Sequence, residues 1–425
     1  MQIHLAPEFQ GTPKGAEVEA IVRNCVHCGF CNATCPTYQL LGDELDGPRG
    51  RIYLIKQVLE GAPVSTATQQ HLDRCLTCRN CESTCPSGVR YGNLLEIGRE
   101  VVDAKVPRPA AARAMRWLLK EGLTSRLFGP AMRLGQAARP LLPRVLKAKV
   151  PQTVPTQMRG WPTGTHARKV LLLAGCVQPA MAPNINQATA RVLDAAGIQT
   201  LVPPAAGCCG AIRTHLSDVV GGLSDMRRNI DAWWPLIDQA EAIVTNASGC
   251  GVTVKSYGHA LAHEPTYADK ARVISDKTLD LSELLPELVT ALRPQLKMRH
   301  WRNLAFHSPC TLQHGQQLRG GVEIHMGEMG FKLAAPSAES HLCCGSAGTY
   351  SVLQTELAVK LRDRKIRHLE ATHPEAIISA NLGCISHLQS GTDLPVRHWV
   401  EVLDEALWGG VPVPVTERQR QGSVA

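Results

Sequence analysis

Two stretches of this chain decide its architecture: CVHCGFCNATCP at residues 25–36 and CLTCRNCESTCP at residues 75–86. Both stretches space their four cysteines identically and end in Cys-Pro, and each cysteine of the second lies 50 residues after its counterpart in the first. Together they hold eight of the 16 cysteines: Cys25, Cys28, Cys31, Cys35, Cys75, Cys78, Cys81 and Cys85. The first quarter of the chain therefore contains a duplicated ligand motif.

The spacing C-x2-C-x2-C-x3-C-P is that of bacterial two-cluster ferredoxins, so it predicts two 4Fe-4S clusters. Three cysteines of a run curl around one cluster, whereas the fourth, before the proline, ligates the other cluster. We therefore expect two crossed ligand sets, namely Cys25, Cys28, Cys31 and Cys85 for cluster 1, and Cys75, Cys78, Cys81 and Cys35 for cluster 2. Zinc and disulfides are weaker alternatives, because zinc usually takes cysteine pairs from separated knuckles and disulfides belong to oxidising compartments.

The remaining cysteines form a second internal repeat. Cys176, Cys208, Cys209 and Cys250 are matched by Cys310, Cys343, Cys344 and Cys384 at offsets of 134 or 135 residues. We call each copy a CCG repeat, after the Cys-Cys-Gly sequence that it contains. Short apolar runs such as KVLLLA (169–174) alternate with helical stretches in both copies, which predicts parallel α/β sheets with the cysteines just past the strand ends.

The CCG cysteines are possible ligands of a further cluster or metal. Four thiols per copy suit one iron–sulfur cluster per copy, but zinc and metal-free reactive or structural cysteines remain alternatives. Histidines lie close to these cysteines at His307, His341 and His387, and a lone histidine is more often a packing or hydrogen-bonding residue than a ligand. Arg49 and Arg51 are equally compatible with a place beside a cluster and with solvated surface charge.

The predicted fold class is α/β overall: a mostly helical two-cluster ferredoxin domain, then a duplicated α/β cysteine-rich domain. The expected divisions are the ferredoxin domain at 1–105, a basic amphipathic helix and linker at 106–165, the first CCG repeat at 166–300, the second at 301–412, and a disordered tail at 413–425.

The net charge of +8 is concentrated in the linker, where residues 108–150 contain ten basic residues and a single acid, Glu121. Apolar residues at helical spacing accompany the charge at Met115, Leu119, Leu123 and Leu127. Such a helix packs on its own protein, docks on a partner or lies on an anionic membrane surface, and these three interpretations stay open. No apolar run reaches the length of a membrane span, and no recognition motif supports nucleic-acid binding.

The segments CVHCGFCNATCPTYQLLGDELDGPRGRIYLIKQVLEG and HLDRCLTCRNCESTCPSGVRYGNLLEIGR closely resemble the iron–sulfur subunit of bacterial glycolate oxidase (glycolate dehydrogenase). AGCCGA, NIDAWWP, FHSPCTLQH and HLCCGSAGTY extend this resemblance over nearly the whole chain. The same domain order is found in iron–sulfur subunits of lactate and glycerol-3-phosphate dehydrogenases and in heterodisulfide reductase. The heterodisulfide-type repeat ends in a C-x-x-C pair, whereas this chain has Ala247 and Asn381 in place of the fifth cysteines.

The resemblance implies an oxidoreductase subunit that is not catalytic alone. FAD-binding partner subunits would oxidise glycolate to glyoxylate, and this chain would pass the electrons to an acceptor such as quinone. It has no G-x-G-x-x-G fingerprint for a nucleotide of its own. We expect a cytoplasmic protein, with peripheral contact to the inner face of the cell membrane as an option. The alternatives are a subunit of a related lactate or glycerol-3-phosphate dehydrogenase, a heterodisulfide-type thiol reductase, and a non-catalytic scaffold.

Overall fold

The computed structural model describes residues 1–125, 127–141, 160–297, 303–336 and 338–409. Residues 126 and 142–159 of the predicted linker and all of the predicted disordered tail, 413–425, lie outside these residues. The described chain has a helical amino-terminal region followed by two α/β units, which confirms the predicted fold class.

The amino-terminal region is built from short helices around the two cysteine runs. Proline occupies the first turn of three of them, where its missing N–H costs no hydrogen bond. The helices are α1 (Pro13–Asn24), α2 (Phe30–Ala33), α3 (Pro36–Leu41), α4 (Pro48–Leu59), α5 (Thr66–Asp73), α6 (Asn80–Thr84) and α7 (Tyr91–Lys105), with a 3-10 turn at Glu44–Asp46.

Two further helices, α8 (Ala110–Thr124) and α9 (Phe128–Ala137), and a 3-10 turn at Arg139–Leu141 follow. They contain the amphipathic pattern predicted from sequence. Neither helix has a buried residue, so both lie on the surface of the protein.

The first CCG repeat is a four-stranded parallel sheet with the order β2-β1-β3-β4. Its strands are β1 (Arg168–Leu172), β2 (Ile198–Leu201), β3 (Ala242–Thr245) and β4 (Thr278–Asp280). The connecting helices are α10 (Gln178–Met181), α11 (Pro183–Ala195), α12 (Ala211–His215), α13 (Val219–Trp233), α14 (Ser248–Val254), α15 (Tyr257–Ala260), α16 (Ala268–Asp276) and α17 (Leu285–Leu292), with 3-10 turns at Trp234–Leu236, Leu281–Leu284 and Arg293–Gln295.

The second CCG repeat has the same topology, β6-β5-β7-β8, again with parallel neighbours only. Its strands are β5 (Leu304–His307), β6 (Leu333–Ala334), β7 (Ala376–Ser379) and β8 (Val396–His398). Its helices are α18 (Gly321–Glu328), α19 (Tyr350–Leu353), α20 (Thr355–Glu370), α21 (Leu382–Gln389) and α22 (Trp399–Trp408), after one π-helical turn at Thr311–Gly315.

The two CCG repeats share one hydrophobic core, which joins their sheets and helices from Val170 to Leu407. Polar contacts cross the same boundary. The Arg191 guanidinium pairs with the Asp404 carboxylate at 2.6 Å, and the buried His398 Nε2 lies 2.9 Å from the carbonyl oxygen of Asn246. This shared core fixes the carboxyl ends of both sheets, where the cysteines lie, relative to one another.

Candidate metal centres

The two cysteine runs contact each other at equivalent positions. The hydroxyls of Thr34 and Thr84, which are 50 residues apart, lie 3.1 Å from each other. In each run, the residue that precedes a short helix has a left-handed backbone conformation. These residues are Gly29, with φ 88°, and Arg79, with φ 56°. A Cβ at position 29 would lie 2.6 Å from the Arg49 guanidinium, so the close approach of Arg49 also favours glycine there.

The eight cysteines of the two runs line two small cavities. Cys25, Cys28, Cys31 and Cys85 line one small cavity together with Cys81, and we call the first four the outer quartet. Burial raises the pKa of Cys31 to about 11, and the neighbouring Cys25, Cys28 and Cys85 thiols raise it in the same direction. Cys28 is exposed, so this set reaches the surface of the molecule.

The second set, Cys35, Cys75, Cys78 and Cys81, lines another small cavity, and we call it the inner quartet. All four of its cysteines are buried. The Tyr91 hydroxyl donates to Cys75 Sγ at 3.6 Å, and the backbone N–H of Thr77 donates to the same sulfur at 3.5 Å. Burial raises the pKa of the Cys78 and Cys81 thiols, so ionising them requires a nearby positive charge such as a metal.

Arg51 is a feature of the inner quartet that sequence reasoning left undecided. Its side chain is fully buried, donates to the carbonyl oxygen of His71 at 2.7 Å and pairs with Asp46 at 3.4 Å. Although burial opposes its charge, the nearby Cys75, Tyr91, Cys35 and Asp46 groups raise the pKa of Arg51, which stays cationic. Arg51 is therefore not solvated surface charge, whereas Arg49 pairs with Glu44 at 2.6 Å near the surface.

The CCG cysteines also converge, and they do so in the same way in both repeats. Each glycine of Cys-Cys-Gly donates its N–H to the first cysteine of the pair, Gly210 to Cys208 Sγ and Gly345 to Cys343 Sγ, both at 3.4 Å. Gly210 and Gly345 have φ of 96° and 88°. A Cβ at Gly345 would lie 2.5 Å from the carbonyl oxygen of Ala358, so helix α20 leaves room only for glycine.

Within each repeat the four thiols are neighbours. Hydrogen bonding to Cys208, followed by burial, raises the pKa of Cys176 well above its usual value. Cys209 in turn contacts both Cys208 and Cys250. In the second repeat Cys310 Sγ and Cys343 Sγ lie 3.8 Å apart, and Cys344 contacts Cys384. All four cysteines of the second repeat are buried, whereas Cys176 and Cys250 of the first are half-buried. Groups of four neighbouring thiols are a soft donor set that fits iron–sulfur clusters or zinc.

The inner quartet adjoins the second CCG repeat. Cys78 and Leu76 share a hydrophobic cluster with Cys310, Cys343 and Tyr350. The Tyr350 hydroxyl also donates to the carbonyl oxygen of Arg74 at 3.1 Å. The ferredoxin region and the second repeat are thus in direct contact beside their cysteines.

A cavity of about 1000 Å³ opens between the ferredoxin region and the two repeats. Cysteines of all three regions line it, namely Cys78, Cys176, Cys208, Cys209, Cys250, Cys310, Cys343 and Cys384. Helices α8 and α9 border the cavity through Leu119, Leu123, Phe128 and Met132. One apolar face of the amphipathic segment therefore packs toward its own protein.

The opposite surface of α8 and α9 remains exposed. The side chains of Trp117, Leu118, Leu127 and Leu134 are each more than half exposed, at 61%, 57%, 73% and 72%. Some basic residues of the segment are engaged internally, because Arg116 pairs with Asp73 at 2.9 Å and Lys120 with Asp218 at 3.1 Å. In the described part of the chain, no helix has both the length and the apolar character needed to cross a membrane.

The three histidines singled out from the sequence have different environments. His387 Nε2 lies 3.1 Å from the carbonyl oxygen of Ala358. His341 is half-buried, and its carbonyl oxygen accepts from Asn80 in the ferredoxin region at 3.2 Å. His307 is buried with Cys344 and Cys384, and its Nε2 has no hydrogen-bond partner.

Known proteins share these features in the same order. The family model described as "4Fe-4S dicluster domain" matches residues 21–89, and the "Cysteine-rich domain" model matches residues 170–255 and again 304–389. The glycolate oxidase iron-sulfur subunit of Escherichia coli K12 is 53% identical over 96% of this chain and 99% of its own length. The probable glycolate oxidase iron-sulfur subunit of Bacillus subtilis 168 is 31% identical over 88% of this chain and 90% of its own.

A more distant relative matches a smaller part of the chain. Lactate utilization protein A of Bacillus pumilus SAFR-032 is 26% identical over 56% of this chain and 99% of its own length. The two glycolate oxidase subunits thus match over most of the chain. The chain belongs to the family of glycolate oxidase iron-sulfur subunits.

Proposed function

We propose that this chain carries electrons from the flavin subunit of a glycolate-oxidising complex to a membrane quinone. The observation that carries the proposal is the convergence of two cysteine quartets in a 4Fe-4S dicluster domain that adjoins two further cysteine sets. FAD and the glycolate site belong to partner subunits in this proposal. The proposed domain divisions are those given by the sequence, 1–105, 106–165, 166–300, 301–412 and 413–425.

The proposed ligands follow the crossed sets. The outer quartet would hold cluster 1 and the inner quartet cluster 2, each as a 4Fe-4S cluster that takes up and releases one electron when bound. The chain's own residues supply the thiols, exclude water from the inner quartet and donate to its sulfurs from Tyr91 and Thr77. The two CCG sets would hold further metal centres.

We propose that electrons enter at the outer quartet and leave through the cavity. Cys28 is exposed and flanked by Val26 and Phe30, whose side chains are 68% and 62% exposed, which suits docking of a flavoprotein subunit. The inner quartet is buried and comes next on the proposed route. It adjoins Cys310 and Cys343. A two-electron flavin reaction can be drained one electron at a time along such a series.

The proposed acceptor is a quinone that reaches the cavity from the membrane surface. Support comes from the apolar side chains that α8 and α9 contribute to the cavity and from the exposed Trp117, Leu118, Leu127 and Leu134 on their other side. An interfacial helix needs such an apolar face together with basic residues, and this segment has both. In this arrangement the chain would contact the inner face of the membrane peripherally.

The test is anaerobic purification of the tagged chain from its native cells, followed by addition of glycolate, lactate and glycerol 3-phosphate in turn. We expect a flavoprotein to co-purify and glycolate alone to bleach the visible iron–sulfur absorption. Bleaching by lactate or glycerol 3-phosphate instead would assign the chain to a related dehydrogenase. An iron-loaded chain that none of the three substrates bleaches would contradict the proposed donor.

A further inference from the structure

The second CCG repeat contains a donor set that the first repeat lacks. A ring nitrogen of His307 and the Sγ atoms of Cys344 and Cys384 all lie within 4.8 Å of one another. The three residues are buried, with exposed fractions of 1%, 1% and 4%. The position equivalent to His307 in the first repeat, 134 residues earlier, is Leu173. The two repeats are therefore chemically different at the end of the same strand.

His307 Nε2 points to a ligand because it has no protein partner. A buried imidazole nitrogen without a hydrogen bond is unfavourable, and such atoms are rare in folded proteins. The residue is firmly placed, since it ends strand β5, pairs in register with Ser379, and accepts from the Ser379 hydroxyl at its carbonyl oxygen at 2.9 Å. Its ring thus faces the thiols from a rigid element.

The spacing of the three donors fits one ion better than a cluster. Around a single tetrahedral metal with bonds of about 2.0–2.3 Å, donor atoms lie roughly 3.3–3.8 Å apart, which is compatible with three donors that all lie within 4.8 Å of one another. A cubane cluster would place its ligands on different irons and hence farther from each other. One nitrogen and two sulfur donors are a borderline-soft set, which zinc prefers.

Charge around the site is consistent with bound thiolates. Lys365 is buried beside Cys343 and Cys344, where a positive charge needs negative groups nearby. The Asn381 side-chain N–H donates to Cys384 Sγ at 3.6 Å, which orients that sulfur. Asn381 is the residue that stands where the heterodisulfide-type repeat has a further cysteine, so here it acts as a donor to a ligand sulfur.

We propose that His307, Cys344 and Cys384 bind a single divalent metal ion, with zinc the best match and Cys343 the nearest further thiol. The ion would join the end of β5, the Cys-Cys-Gly loop and the start of α21 beside the contact with the inner quartet.

The test uses the full-length chain loaded with Co²⁺ as a spectroscopic probe in place of zinc. We expect one tightly bound Co²⁺ per chain, with the visible d–d bands of a tetrahedral site and sulfur-to-metal charge transfer in the near ultraviolet. His307→Leu, which copies the first repeat, should abolish these bands, while His307→Cys should retain binding and strengthen the charge-transfer band. His387→Leu is the matched control and should leave the spectrum unchanged.

Two results would overturn the proposal. One is an unchanged cobalt spectrum in a folded His307→Leu variant. The other concerns the metal that is lost in the Cys384→Ser variant. The proposal is wrong if X-ray absorption shows that this metal is iron with iron neighbours, rather than a single ion with nitrogen and sulfur ligands. Iron content at the ferredoxin quartets is measured on the same samples. A failure of the iron–sulfur function is therefore distinguished from a failure of the His307 site.

Discussion

At the residue scale, the position of Cys85 supports the proposed crossed ligand sets. It belongs to the second cysteine run but lies with Cys25, Cys28 and Cys31 of the first. We expect Cys85→Ala and Cys28→Ala to remove the same EPR signal, that of cluster 1, and to leave cluster 2 intact. The double variant should lose no more iron than either single variant, because each of the three variants loses the same cluster.

Cys35→Ala is the matched control for this experiment, since it is the equivalent cysteine of the other run. It should remove cluster 2 instead. Loss of the cluster 2 signal in Cys85→Ala, with cluster 1 retained, would show that each run holds its own cluster and would contradict the crossed assignment.

Arg51 should set the potential of cluster 2. A buried cation stabilises the added electron, so Arg51→Met should lower the reduction potential of this cluster. A Coulomb energy of roughly 2–3 kcal/mol at an effective dielectric near 20 corresponds to a shift on the order of 100 mV. EPR-monitored redox titration measures the shift.

Arg51→Lys keeps the positive charge and serves as the control for lost packing. Its cluster 2 should have a reduction potential close to that of the unchanged protein. Arg49→Met tests the surface position, where Arg49 pairs with Glu44, and it should change the potential of cluster 2 little. An unchanged potential in a fully loaded Arg51→Met variant would mean that Arg51 only holds the Asp46 carboxylate in place.

At the scale of elements, much of the fold was predictable because the apolar runs are bounded by glycine and cysteine turns. The predicted apolar run KVLLLA, at 169–174, is strand β1, at Arg168–Leu172. Strands β4 and β8 have no such apolar run. They contain only TLD and VRH, and so few residues give no alternating or β-branched pattern to recognise.

The site residues also divide into those that could be predicted from the sequence and those that could not. The two quartets could be predicted from the cysteine spacing, because ligands that are close in sequence constrain their own geometry. The significance of Arg51 and His307 depends on burial and on contacts with residues distant in the chain, such as His71 and Cys384. The local sequence contains no information about those contacts. The usual exposure of arginine and the usual packing role of histidine therefore left the roles of both residues undecided.

Helices α8 and α9 should mediate membrane contact through their exposed side. Trp117→Asn combined with Leu134→Asn removes two large apolar side chains that are 61% and 72% exposed. Since full burial of such a side chain is worth about 1.5–3 kcal/mol, partial insertion of two predicts at least roughly tenfold weaker binding. Co-sedimentation with vesicles of phosphatidylcholine and phosphatidylglycerol measures it.

Ile324→Asn is the control, because Ile324 is an exposed apolar residue of the second repeat, 58% exposed and remote in sequence from the helix pair. It should bind vesicles like the unchanged protein. Equal vesicle binding by all three proteins would remove α8 and α9 as the membrane contact and favour attachment through a partner subunit.

At the scale of the whole molecule, the cysteine sets follow one another from the surface to the interior. The outer quartet reaches the surface, the inner quartet is buried, and the CCG cysteines line a cavity behind it. The ferredoxin region also contacts the first repeat, where His259 Nε2 lies 3.0 Å from the Glu17 carboxylate. Both repeats therefore hold the dicluster region in a fixed place, as short electron-transfer distances require.

The most direct test of the central claim is glycolate-driven reduction of a quinone analogue by the assembled complex containing Cys85→Ala. The account predicts that glycolate still reduces the flavin of the partner subunit, whereas quinone reduction falls to background because cluster 1 is missing. Quinone reduction at the unchanged rate, in an assembled complex shown to lack cluster 1, would mean that electrons do not pass through this chain.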